Sequence, residues 1–403
     1  MRCWRWFCFF FVVGFVFSVS VACTHSADKS TTATEAKTAV VSAETKISPQ
    51  VKPLPPETTA ILKTAQAKNL YNPPRGDVRF VVISDLNSAY GSTDYDPEVD
   101  KGVNLVPFWQ PDVVVSGGDM VAGQKPSLTP TQIRAMWAAF EKHVGTPLRR
   151  AKIPFGFTIG NHDASGAVGV NGNFLFQRER DLASEYWNDP KHDPGVKFVD
   201  RYEFPFYYTF ESKDIFFLVW DGSSHRIPAE KMAWVEKTLA SPRAQKAKMR
   251  IMVGHLPLYG VAVGRDQPVE VMADAEKLRA MFEKYKVHTY ISGHHHAYYP
   301  GHRGNLQLLH TGILGSGPRP LINGKFPPTK TISVVDVNFN SPELTTYTTY
   351  DIKTLKVIEN DQLPRFLTGH NGMVLRRDIE LKDLSTQEKN SCIQTLDKKR
   401  CQA

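Results

Sequence analysis

The chain has 403 residues and a mass of 45.3 kDa, enough for one large core or two modest ones. Hydrophobic residues at 41% and charged residues at 22% exclude a disordered, a collagenous or a multi-span membrane chain. The 49 Lys and Arg against 41 Asp and Glu give +8, a surplus too dilute, without any dense basic run, for dedicated nucleic-acid binding.

The first 22 residues, MRCWRWFCFFFVVGFVFSVSVA, put Arg2 and Arg5 ahead of an uncharged apolar stretch that ends in small residues. That order is the basic region, apolar region and cleavage site of an export signal peptide. A single membrane anchor is the competing reading, and the stretch is at the short end for one. Cys23 follows Ser20-Val21-Ala22, which resembles a bacterial lipoprotein signal with Ser in place of the usual Leu. Ordinary cleavage after Ala22 is the alternative. A lipidated Cys23 would hold the protein to a membrane surface without spanning it. The expected location is therefore periplasmic or on the outer membrane as a lipoprotein, or else secreted. Residues 23–76 are rich in Ser, Thr and Pro and read as a flexible tether.

The folded part is expected from residue 77. VRFVVIS (78–84) runs into Asp85, DVVVS (112–116) into Gly117-Gly118-Asp119, and IPFGFTI (153–159) into Gly160-Asn161-His162-Asp163. Met249–Val253 runs into Gly254-His255, and Val287–Ser292 into Gly293-His294-His295-His296. Each is a short buried-strand pattern met at once by polar, glycine-rich residues. Helical patterns lie between them. Thr129-Pro130 opens one with Ile133, Met136, Trp137 and Phe140 on a face; Pro228 opens a second with Met232, Val235 and Leu239; Val271, Ala275, Leu278 and Phe282 mark a third. Alternating strands and helices imply a layered α/β domain, with sites at the loops beyond the strand ends.

From Leu306 the helical patterns stop, and LQLLHTGIL, KTISVVDVN and LTTYTTYDI read as strands completing a second sheet. The domain is expected to close near residue 365, leaving 366–403 as a polar extension. Of the five cysteines, Cys392 and Cys401 stand close enough for a local disulfide outside the cytoplasm. No Cys-x-x-Cys pair offers a thiolate zinc site.

Taken together, the strand-end residues are Asp85, Asn87, Asp119, Asn161, His162, His255, His294 and His296. A lone Asp or His after a strand usually caps a turn or packs, but five loops supplying them in one chain suggest a shared centre. Carboxylates can bridge metals, imidazole suits Zn, Fe or Mn, and an Asn carbonyl oxygen is a weaker neutral ligand.

In this pattern the chain resembles the calcineurin-like metallophosphoesterase superfamily, whose motifs run Asp-x-His, Gly-Asp, Gly-Asn-His-(Asp/Glu), a later His and Gly-His-x-His. Here they read Asp85-Leu86-Asn87, Gly118-Asp119, Gly160-Asn161-His162-Asp163, Gly254-His255 and Gly293-His294-His295-His296, spread over residues 78–296. The resemblance implies a four-layer α-β-β-α sandwich with two mixed β-sheets flanked by helices. It implies two divalent metal ions (Mn, Fe or Zn) and a hydrolase, phosphatase or phosphodiesterase, whose dinuclear centre activates water for in-line attack on phosphorus. Asp119 would bridge the ions, Asp85 and His296 would complete the first site, and Asn161, His255 and His294 the second. His162 would contact phosphate and protonate the leaving oxygen, with Asp163 orienting its ring. His295 would point away.

One departure stands out: the first motif usually ends in His, and Asn87 is there instead. Purple acid phosphatases also lack that histidine and place a Tyr three residues after the bridging Asp, where this chain has Ala122. Either Asn87 binds through its carbonyl oxygen, or water replaces a ligand at the first ion, or the site is crippled. In the last case the chain would be a non-catalytic phosphoester-binding lipoprotein. Arg265 and Arg319 are candidates to hold substrate oxygens, since guanidinium suits phosphate. The expected substrate is a small phosphoester or a phosphoprotein. Tyr298-Tyr299 either line a substrate mouth or pack in the core.

Overall fold

The computed structural model describes residues 53–402; the expected export leader, Cys23 and the start of the expected tether lie outside the described residues. The chain is already folded at α1 (Pro56–Leu62), within the range read as tether. Thr58 is buried there and its hydroxyl donates to the Asn104 carbonyl at 2.6 Å, while Ile61, Leu62 and Leu70 pack on the core. These few apolar residues suffice to dock a segment that is otherwise polar.

In chain order, β1 (Val78–Ile83), α2 (Pro97–Trp109) and β2 (Val113–Ser116) lead to α3 (Pro130–Phe140), α4 (Thr146–Arg150) and β3 (Phe155–Phe157). Then come α5 (Asn161–Ala164), α6 (Gln177–Asn188) and a meander of β4 (Lys197–Glu203), β5 (Tyr207–Ser212) and β6 (Ile215–Val219). α7 (Ala229–Leu239), α8 (Pro242–Lys246), β7 (Met249–Val253), α9 (Ala275–Lys284) and β8 (Thr289–Ser292) follow. The chain ends in β9 (Tyr298–Arg303), β10 (Leu306–Thr311), β11 (Thr331–Val337), β12 (Thr345–Asp351), β13 (Phe366–Gly369), β14 (Gly372–Arg376) and α10 (Thr386–Thr395).

The helix starts follow local chemistry. The Thr129 hydroxyl accepts from the Gln132 amide, the Gln132 side chain accepts from Thr129 in return, and Pro130 fills the first helical position. Ile133, Met136, Trp137 and Phe140 are buried as their spacing requires. Val271 is buried too, but in the loop before α9, which starts only at Ala275.

Two mixed sheets result. One has the order β12-β11-β1-β2-β3, the other β13-β14-β9-β10-β8-β7-β6-β5-β4. They face each other across the core, where the Phe80 and Phe217 rings meet at 5.9 Å, and helices flank them. β1, β2 and β3 are parallel, as are β6, β7, β8 and β10, so both sheets carry helical crossovers. Across the β1–β11 pair, Arg79 forms a bidentate bond with Asp336, buried among apolar strands. β11 and β12 therefore extend the first sheet, and only β10 of the three late strand patterns joins the second.

The polar extension expected after residue 365 is part of the same sheet system. β13 and β14 pair with each other, and β14 pairs with β9. α10 and the tail after it are closed by a disulfide between Cys392 and Cys401, packed on Met373, Leu375 and Leu384. A short hairpin of mixed residues gives little periodic signal, and its apolar side is small. Tyr298 and Tyr299 are buried core residues; the Tyr299 hydroxyl donates to the Pro364 carbonyl.

Candidate metal centre

The parallel strands of both sheets end at one edge, and the loops beyond β1, β2, β3, β7 and β8 converge there. Asp85, Asp119, His294 and His296 all hold positive φ, between 51° and 64°. Non-glycine residues visit this region at a cost of about 1–3 kcal/mol each, and such strain gathers at functional sites. Gly118, at φ +95°, is required: a β-carbon there would meet the Gly160 nitrogen at 2.8 Å and His255 Nδ1 at 2.9 Å.

Four donors of one cluster nearly touch. Asn161 Oδ1 lies 2.9 Å from both His255 Nε2 and His294 Nδ1, and those two nitrogens are 3.3 Å apart. Asp119 Oδ2 lies 3.3 Å from His255 Nε2. Asn161 presents its oxygen because its Nδ2 donates to Gln124 Oε1 at 2.7 Å. His255 is held from behind by the Gly117 carbonyl, 2.7 Å from Nδ1, so Nε2 faces the cluster. On the other side, His296 Nε2 lies 3.2 Å from Asp85 Oδ1, and the Gly317 carbonyl accepts from His296 Nδ1 at 3.0 Å. Asp119 Oδ1 accepts from the His162 amide at 2.8 Å, while Oδ2 is buried without a hydrogen bond. Asp85, Asp119 and His255 each present a ligand atom within 4.8 Å of the others.

This donor set fits divalent metal. An orphaned buried carboxylate oxygen beside packed imidazole nitrogens calls for a shared cation. Four donors around one ion at roughly 2.0–2.2 Å stand about 3.3–3.6 Å apart, close to the spacing here. Asp119, Asn161, His255 and His294 would hold one ion, and Asp85, His296 and Asp119 a second. Asn87 is buried on the Asp85 loop, its carbonyl accepting from the Ser316 amide, and its side-chain amide makes no hydrogen bond among the described residues.

The electrostatics are those of charges packed without water. Burial alone would raise the Asp119 carboxyl, but the His255 and His162 imidazoles hold it well below the usual range. Burial opposes the His255 proton, yet Asp119 wins and pushes its pKa up to about 9. His294 goes the other way, to about 4, chiefly by burial, with the Glu270 carboxylate opposing the shift.

His162 stands at the rim. Its Nδ1 lies 3.3 Å from the Gly123 carbonyl, its Nε2 3.9 Å from Asp119 Oδ2, and Tyr90 covers its ring. Asp163 does not orient that ring. Its carboxylate accepts instead from the amides of Met120, Val121 and Gly160 at 2.6–2.9 Å, tying the Asp119 loop to α5. Burial first, then the charge of Asp119, raises Asp163 to about 7. His295 points away, between the Val261 amide and the Glu270 carbonyl.

Arg265 is not free to take substrate, because its Nη1 lies 2.7 Å from Glu270 Oε2 and 3.4 Å from His294 Nε2. The Arg319 amide donates to the His296 carbonyl, and its guanidinium has no carboxylate partner among the described residues. Three supporting residues escaped the sequence reading. Glu270 Oε2 lies 2.6 Å from His294 Nε2. Gln124 orients Asn161. Glu179, raised to about 7 by burial, accepts from the Gln124 and Lys125 amides and so fixes the loop behind His162. None sits in a local motif; only Glu179, a buried acid on a helix, carries any sequence signal, and a faint one.

A model of the calcineurin-like phosphoesterase family matches residues 78–298. Among solved structures, a purple acid phosphatase from yellow lupin seeds (Lupinus luteus) superposes with a TM-score of 0.50 and 18% identity, over 72% of this chain and 54% of that one. The chain thus spans about half the length of that phosphatase. The Plasmodium protein GAP50, the anchor in the inner membrane complex, gives a TM-score of 0.45 and 15% identity over 79% of this chain and 94% of that one. A putative 5'-nucleotidase of Staphylococcus aureus gives 0.35 and 12% over 79% and 57%. At these identities the likeness concerns the fold. No curated protein matches the sequence.

Proposed function

The chain belongs to the calcineurin-like phosphoesterase family, and from that premise we propose that it hydrolyses phosphoesters at a two-ion centre. The observation that carries this is the buried Asp119 Oδ2, without a hydrogen bond, set between the Asp85–His296 pair and the Asn161–His255–His294 cluster. Divalent ions held there would supply Lewis-acid polarisation of the phosphoryl oxygens and a water of lowered pKa.

The chain's own residues do the rest. With Nδ1 donating to the Gly123 carbonyl, His162 directs Nε2 at the mouth, where its proton passes to the leaving oxygen as the P–O bond breaks. Arg319 would hold a non-bridging phosphoryl oxygen. Asp163 keeps the backbone of Asp119 and Asn161 in register. The amide at position 87 makes the first site richer in oxygen donors.

The test is hydrolysis of paired mono- and bis-aryl phosphates by the full chain, stripped of metal and then given Mn²⁺, Zn²⁺ or Fe²⁺, beside His162→Ala. Metal-dependent turnover lost in the variant supports the reading, and the mono-to-bis ratio separates phosphatase from phosphodiesterase. Absence of turnover with every metal would overturn it. Export and a lipid on Cys23 belong to the same proposal and rest on residues 1–23 alone; labelled fatty acid that fails to attach to Cys23 in a bacterial host would exclude the anchor.

A further inference from the structure

The large apolar side chains that the described residues expose are not scattered. Tyr90, Val168, Val170, Leu175, Val263 and Val269 are each more than half exposed, and all stand on the loops beyond β1, β3 and β7, the loops that deliver the metal-centre residues. Only Tyr71, Tyr202 and Ile393 are comparably exposed elsewhere among the described residues. Single exposed apolar residues are ordinary, but six on the loops that deliver one charged centre are not.

Two of these loops touch the centre directly. Tyr90 lies over the His162 ring, with centroids 4.9 Å apart. Six residues past His162 the chain enters a small hairpin, bridged between Val168 and Phe174, whose apolar side chains face solvent. On the loop beyond β7, Val263 lies two residues before Arg265, and Val269 directly precedes Glu270, both of which touch His294.

We propose that the substrate is an amphiphilic phosphoester, whose phosphoryl group enters the metal centre while a long apolar chain lies along this rim. The inference rests on the hydrolase reading above. One water is consumed, its oxygen bonding to phosphorus as the ester P–O bond breaks, and phosphate and an apolar alcohol leave. An apolar chain gains by burial against such a rim, whereas a sugar would gain little.

The experiment measures binding of ethyl-, hexyl- and decylphosphonate, below micelle-forming concentrations, to the Mn²⁺-loaded full chain. Affinity is expected to rise at least about tenfold from ethyl to decyl, since each buried methylene favours binding. The rise should shrink severalfold in Val168→Ser/Val170→Ser/Leu175→Ser and in Tyr90→Ser, whose folding is checked by circular dichroism. Affinity independent of chain length, or a rise unchanged in both variants, overturns the proposal. Turnover of the matching alkyl phosphates separates the two readings. Chain-length-dependent binding without any turnover defeats the hydrolase reading alone; turnover with flat binding defeats the apolar rim alone.

Discussion

Glu270 Oε2 lies 2.6 Å from Nε2 of His294, the imidazole whose Nδ1 faces Asn161 Oδ1. A carboxylate behind a metal-binding imidazole fixes its tautomer and raises its basicity. Glu270→Gln is therefore expected to weaken metal binding by about 10–100-fold. Chelator competition reads this directly, and an unchanged affinity would show that Glu270 serves only Arg265.

His162 and Asp163 are neighbours with separate tasks, and their variants should differ in kind. His162→Ala is expected to lower kcat by about 10²–10⁴-fold with metal content retained. Asp163→Ala leaves three backbone amides without an acceptor, so it should lower the melting temperature and lose metal together. Metal analysis and thermal melts on the same preparations decide it. Metal lost from His162→Ala, or an intact melt for Asp163→Ala, would contradict these assignments.

Asn87 offers an amide where the family usually has imidazole. An oxygen-rich first site favours Mn²⁺ over tight Zn²⁺, and Asn87→His should reverse that preference. Competition between the two ions, read by mass spectrometry of the protein, checks both statements. Stoichiometric zinc at both sites in unsupplemented wild-type protein would sink the first.

Arg79 and Asp336 are buried together, and each also binds backbone: Arg79 the Pro73 and Trp109 carbonyls, Asp336 the Gly76 amide. Removing one partner strands the other charge, so Asp336→Ala should destabilise the fold by about 3–5 kcal/mol. Urea unfolding measures it, and a loss under about 1 kcal/mol would mean that water reaches the pair.

His310 and His288 give the fold a defined sensitivity to acid. His310 is buried with no hydrogen bond to either ring nitrogen, and burial lowers its pKa to about 3; burial and then Arg377 lower that of His288 to about 4. Both values fall below the unfolded one of about 6.5, so the unfolded state binds protons first as pH drops. Their stabilisation is complete above about pH 6.5 and declines toward pH 4, by up to about 1.4 kcal/mol per pH unit for each. His310→Phe should flatten that slope in unfolding curves between pH 7 and pH 5; an unaltered slope would assign it elsewhere.

The site was legible because its ligands follow short, mostly apolar strands, as at Val78–Ile83 before Asp85. The supporting shell was not, because Glu270, Gln124 and Glu179 act through contacts made only after folding. The fold was legible where an apolar strand pattern runs straight into polar, glycine-rich residues; burial alone was not enough, since β6 (Ile215–Val219) is wholly buried and passed unread. β4 (KFVDRYE) is a largely exposed edge strand carrying charges, and the strands beside it passed unread with it. β11 and β12 read correctly as strands, but local pattern says nothing about which sheet a strand joins.

The turn between β13 and β14 reaches across to the loop that carries His255, Arg265 and Glu270. Asn371 bonds the Leu258 carbonyl and the Gly260 amide, and His370 bonds Asp266 through both its backbone and its ring. Arg400 in turn grips the His370 carbonyl from within the loop closed by Cys392 and Cys401. In the order of synthesis, the residues that brace the centre therefore follow every one of its ligands. A nascent chain can hold every ligand and still lack a finished site until the segment around residues 366–401 has emerged and docked, so a protein cut short before that segment would keep its motifs and lose their alignment.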